Sequence, residues 1–139
     1  MVQLIVGKKG KGKTKHLLDK VNAAVKEIAG NIVYLDKSTK HMYELNNKVR
    51  LVNVAEYDVQ DSHEFVGFIS GIISQDHDLQ QIYFDSFLKI ACLDDHEISG
   101  IVERLEKISD CFHVDFFLSI SVDESELPES LRSKVLISL

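Results

Sequence analysis

The sequence predicts an α/β fold with three layers: a mostly parallel sheet of five or six strands between helices on both faces. Two observations carry this. Apolar strand-like runs alternate with segments of helical periodicity along the whole chain, an order that favours parallel strands joined by crossover helices. The chain also has 139 residues, 45% of them hydrophobic, which suits a single domain with a full core. Residues 1–139 are therefore read as one domain.

The first run, Val2 to Val6, is short, apolar and ended by Gly7. Beyond a glycine-rich turn, Leu17, Leu18, Val21, Ala24, Val25 and Ile28 recur at helical spacing, and Gly30 follows as a helix C-terminal glycine would. Ile32 to Leu35 is a second buried-strand pattern ending at Asp36. Ser38 to Asn47 is expected as a short helix and Val49 to Val54 as a strand. Asp61 with Glu64 reads as a capping box for a helix presenting Phe65, Phe68, Ile69, Ile72 and Ile73, with Gly67 and Gly71 as points of close packing. Ile82-Tyr83-Phe84-Asp85 is a strong strand signal. Asp94 with Glu97 is expected to cap a helix whose apolar face is Ile98, Ile101, Val102, Leu105 and Ile108. Phe116 to Val122 reads as a strand, Pro128 to Arg132 as a short helix with proline in its first turn, and Val135 to Leu139 as the last strand.

Composition narrows the function classes. Twenty-two acidic against 16 basic residues give a net charge of −6. Nucleic acid is therefore not indicated as a partner, because neutralising phosphates needs clustered Lys and Arg. No apolar run approaches the roughly 20 residues of a membrane helix. The start of the chain lacks the pattern of a secretory signal, and Cys92 and Cys111 form no CxxC pair. The expectation is a cytoplasmic protein with no membrane association.

One motif carries chemistry. Gly7-Lys8-Lys9-Gly10-Lys11-Gly12-Lys13-Thr14 fits G-x-x-x-x-G-K-[ST], a spacing that average composition produces by chance in roughly one chain in 200 of this size. An apolar strand precedes it and an amphipathic helix begins within it, as the motif requires. Glycines let the backbone wrap an anion. Successive N–H groups then converge on one concavity, and the helix N-terminus adds partial positive charge. Lys8, Lys9 and Lys11 raise the local potential; Lys15 is read as solvated surface.

In this segment the chain resembles the P-loop NTPase superfamily. The resemblance implies a three-layer P-loop core and a nucleotide-binding loop of Gly7, Lys8, Lys9, Gly10, Lys11, Gly12, Lys13 and Thr14. It implies that Lys13 is catalytic, reaching the terminal phosphates, and that Thr14 ligates Mg²⁺. Ile82 to Asp85 looks like the family's second acidic strand, with Asp85 holding Mg²⁺; Ile32 to Asp36 is its rival. Many hydrolysing members place Glu directly after that Asp, whereas here Ser86 stands there. RecA-like members carry the acid after the second strand instead, which makes Asp36 the candidate catalytic acid. Ser121, with Ser119 beside it, lies where a γ-phosphate-sensing residue is found.

Three function classes follow from the resemblance: a nucleoside triphosphatase, a small-molecule kinase and a nucleotide-binding module without hydrolysis. A kinase calls for arginines on a lid, and the chain has only Arg50, Arg104 and Arg132. No N-K-x-D segment reads guanine, so ATP with Mg²⁺ is the expected ligand pair. With no arginine finger for its own site, the chain is expected to be a slow ATPase activated by an unknown protein partner or by homo-oligomerisation, with Arg104 or Arg132 serving a neighbour. It also resembles small stand-alone bacterial P-loop ATPases of unassigned role, some labelled twitching-motility proteins, but lacks the His- and Asp-box motifs of motility motors.

Other clusters carry less. Gln75 to Asp78 and Asp94 to Glu97 mix His with acids but lie at helix ends, where capping explains them. Asp123 to Glu126 reads as a solvated loop, and His16, His41, His63 and His113 have no partner visible in the sequence.

Overall fold

The computed structural model describes residues 1–94 and 97–139. Six strands, β1 (Val2–Val6), β2 (Asn31–Asp36), β3 (Arg50–Asn53), β4 (Leu79–Phe84), β5 (Asp115–Ile120) and β6 (Val135–Ser138), form one sheet in the order β3-β2-β4-β5-β1-β6. Every neighbouring pair is parallel. The expected α/β class and the larger of the two expected strand counts are met.

The helices are α1 (Lys13–Ala24), α2 (Ser62–Ser74), α3 (Phe87–Ile90), α4 (Ile98–Phe112) and α5 (Glu129–Arg132). Strand alternation divides the core. Leu4, Val33, Leu35, Ile82, Phe84, Phe116 and Leu118 face α2 and α4, packing on Phe65, Ile69, Val102 and Leu105. Ile5, Ile32, Tyr34, Tyr83 and Phe117 point the other way, onto Leu17, Leu18 and Val21 of α1. By the same alternation Asp36, Asp85 and Ser119 belong to the α1 side, although all three are buried. The sheet thus places these three buried polar residues at the C-terminal ends of β2, β4 and β5, beside the start of α1, where open α/β sheets bind ligands.

Several local expectations need correction. Only a single 3₁₀ turn, Met42–Glu44, forms between 38 and 47. Asn46 Oδ1 accepts from its neighbour Lys48 N at 2.9 Å, a local bond that competes with helix. Regular helix in α1 stops at Ala24, and Val25 to Ile28 continue as a bonded turn. Gly30 therefore does not cap it; a Cβ there would collide with the carbonyl of Asp78. Asp61 caps α2 by accepting from Glu64 N at 2.8 Å, whereas Glu64 returns its bond to Gln60 N at 2.7 Å, one residue before the cap. At α4 the flanking residue is Glu97, without a side-chain cap bond; of the segment expected to cap it, Asp95 and His96 lie outside the described residues. β5 ends at Ile120 because Val122 N turns back onto the Ile120 carbonyl at 3.0 Å.

Gly67 and Gly71 are not points of close packing. Both are exposed, and a Cβ at either would meet nothing. The Gly67→Ala/Gly71→Ala double variant is therefore expected to raise unfolding stability by about 1–2 kcal/mol, from the helix propensity gained. Urea denaturation checks this, and no gain would mean that the α2 surface is covered.

Candidate functional site

The site begins where β1 runs out. Gly7 N donates to the Val122 carbonyl at 2.9 Å, tying the loop to the end of β5. Gly10 and Gly12 take φ values of 87° and 93° in open space, so backbone conformation, not crowding, calls for glycine there. Among the described residues none accepts a hydrogen bond from the backbone N–H of Lys9, Gly10 or Gly12. α1 then starts at Lys13 with no side-chain cap and no acidic residue in its first turn. Unpaired amides and a helix N-terminus without a side-chain cap are what an anion site offers.

Lys13 is 7% exposed, and its Nζ donates to the Lys8 carbonyl at 3.1 Å. Burial lowers its pKa, an effect that the nearby Asp85 partly offsets. Thr14 Oγ1 donates to Asp85 Oδ1 at 3.1 Å. The other Asp85 oxygen accepts from the Tyr34 hydroxyl at 2.8 Å. Burial first, and then Asp85, push the Tyr34 pKa far up, so this phenol stays a donor. Of the two rival strand-end acids, Asp85 is thus the one joined to the end of the loop.

These groups border a cavity of about 410 Å³, within the range of small-molecule sites. Lys9, Gly10, Gly12, Lys13 and Thr14 line it from the loop, with Asp85, Ser119 and Ser121 from the strand ends. Gly7, Lys8, Lys11 and Asp36 do not line it. Lys8 instead lies 4.0 Å from Glu126, while Lys11 and Lys15 are exposed.

Three lysines that sequence reasoning missed complete the wall: Lys37 and Lys40, beyond β2, and Lys89, on α3. Lys37, Lys9 and Lys40 depress the pKa of exposed Lys89 by crowding positive charge around it. The available signal was that Lys37 directly follows a strand-ending acid, with Lys40 three residues further on. Lys89 had none, because α3 is a single turn entered through Ser86 at a left-handed φ of 54°. None of the three arginines reaches the cavity; Arg104 faces His63 and Arg132 donates to the Ser125 carbonyl.

Asp36 is 2% exposed. Its Oδ1 accepts from Lys37 N at 2.7 Å, and its Oδ2 is buried without a partner. Burial and then Asp85 raise its pKa. The folded state thus binds more protons than the unfolded state between the ordinary carboxylate pKa and the raised one, so stability falls as pH rises through that window. In chelator at neutral pH, Asp36→Asn is expected to raise the melting temperature by a few degrees, about 1 kcal/mol. The advantage should shrink towards pH 4. A lower melting temperature at neutral pH would show that the ionised carboxylate is held by a partner.

The discounted clusters at 75–78 and 123–126 behave as turns. Asp76 accepts from Asp78 N and Asn31 Nδ2, and Asp123 accepts from Ser125. His41 and His63, by contrast, do have partners, Glu44 and Arg104. No helix among the described residues is long and apolar enough to cross a membrane. Compared with known protein families and with curated protein sequences, the chain matches none.

Proposed function

We propose that this chain is a cytoplasmic P-loop protein that binds ATP with Mg²⁺ and hydrolyses it slowly, reaching full activity with a protein partner or as an oligomer. One observation carries the reading: unpaired loop amides, the α1 N-terminus and five lysines surround one cavity in a chain of net charge −6. Such a concentration of donors and cations suits a polyphosphate.

Lys13 is the residue to engage the terminal phosphates, exchanging the Lys8 carbonyl for a phosphate oxygen. Thr14 and Asp85 fit a Mg²⁺ ion, since their oxygens already converge at the cavity wall. When bound, Mg²⁺ would neutralise charge on the phosphate oxygens. Ser119 and Ser121 offer hydroxyls at the end of β5. Lys37, Lys40 and Lys89 supply positive charge where an arginine finger is lacking.

Slow turnover follows from what stands near Asp85. Ser86 occupies the place of a water-orienting Glu, and Asp36 does not border the cavity. The same observation favours a second reading, a nucleotide-binding regulatory module without hydrolysis. A small-molecule kinase is supported less, because no arginine lines the cavity. The test is calorimetric titration of Mg-ATP and Mg-GTP, followed by phosphate release on the same samples. Binding with slow release is the expected result. Binding without release selects the module, and no binding by folded protein overturns the nucleotide reading.

A further inference from the structure

Asp36 and His41 come together with Asp85 at the end of the sheet, outside the role given to the loop. One ligand atom from each of the three lies within 4.8 Å of the others. Three donors about 2.1 Å from a shared ion stand roughly 3–4 Å apart, so the cluster needs only a small closing movement. A second, independent observation points to a ligand. Asp36 is 2% exposed and keeps a buried oxygen with no hydrogen-bond partner, an arrangement that is costly unless a cation or donor meets it.

We propose that Asp36, His41 and Asp85 form a site for a divalent first-row transition ion, Mn²⁺ or Zn²⁺, which adds Asp36 and His41 to the Asp85 carboxylate shared with the Mg-nucleotide position at Thr14. The donor set selects the metal. Two carboxylates match the charge of a divalent ion, and an imidazole nitrogen favours transition ions over Mg²⁺ and Ca²⁺, which prefer all-oxygen shells. His41 is also prepared as a ligand. Its Nδ1 stands 3.0 Å from Glu44 Oε1, and a proton held there leaves the Nε2 lone pair for metal, the usual outer support of a ligating histidine. The 3₁₀ turn at Met42–Glu44 is what brings Glu44 into reach. This site does not depend on the nucleotide reading.

The test uses the full chain, stripped with chelator and free of nucleotide. Mn²⁺ is titrated by following the free-ion EPR signal, and Zn²⁺ by calorimetry. Wild type is expected to take up one ion per chain. His41→Ala and Asp36→Asn are each expected to weaken uptake by roughly tenfold or more, whereas Lys15→Ala, exposed and off the cavity, should bind the ion as wild type does. The His41 side chain is 19% exposed, and circular dichroism checks each fold; should one variant unfold, the other decides. No uptake of either ion by folded wild type, or uptake unchanged in a folded variant, overturns the proposal. Mn²⁺ uptake by a protein that fails to bind Mg-ATP would leave this site standing and remove the nucleotide reading.

Discussion

Lys13→Ala is expected to weaken Mg-ATP binding by roughly 10- to 100-fold, the value of one hydrogen bond between charged groups. The reason is local. Lys13 is the cation held buried at the junction of loop and helix, and its ammonium is parked on the Lys8 carbonyl at 3.1 Å. Burial already disfavours its charged form, so a bound polyphosphate would relieve a cost the free protein carries. For the same reason alanine should leave unfolding stability within about 1 kcal/mol of wild type. Calorimetry with Mg-ATP measures the loss, and Lys15→Ala, which is exposed and off the cavity, is the control expected to bind normally. Equal affinity in Lys13→Ala and wild type would remove Lys13 from the site and with it the main argument for a P-loop.

The largest stability effect is expected at Phe84. Its ring is fully buried and sits edge-on to Phe65, Phe87 and Phe116 at centroid distances of 6.0, 5.9 and 5.3 Å. Phe84→Ala deletes the centre of that cluster and is expected to cost about 3–5 kcal/mol, transfer and cavity terms together. That is a third or more of the stability of many domains, about 5–15 kcal/mol. Urea denaturation reads it as a lower midpoint at similar slope. Phe112, at 55% exposure, is the control, and Phe112→Ala should change stability by no more than about 0.5 kcal/mol. A loss under about 1 kcal/mol at Phe84 would mean that the aromatic cluster repacks. Because Phe84 immediately precedes Asp85, nucleotide affinity should fall with it wherever the end of β4 loosens.

Much of the fold was legible because its signals are local. The alternation at Ile32 to Asp36 and Ile82 to Asp85 marks strands whatever surrounds them, and Gly7 to Thr14 joins a strand to a helix by spacing alone. Boundaries were less legible where side chains compete with the backbone, as Asn46 does between 38 and 47. The two α2 glycines misled because a glycine at helical spacing looks alike whether it faces a neighbour or solvent.

The sequence by itself determined the α/β class and the strand–loop–helix order around Gly7 to Thr14, with Asp36 and Asp85 as two rival strand-end acids. Periodicity and motif spacing are properties of neighbours along the chain. Only the tertiary structure decided that Asp85 and not Asp36 meets Thr14, that Lys37, Lys40 and Lys89 close the cavity wall, and that His41 stands beside two buried acids. Those pairings join residues from different strand ends, and sheet order and register set which ends meet. With β4 between β2 and β5, the α1 faces of β2 and β4 turn Tyr34, Asp36 and Asp85 towards one another. Nothing in the spacing of 34, 36 and 85 along the chain requires it.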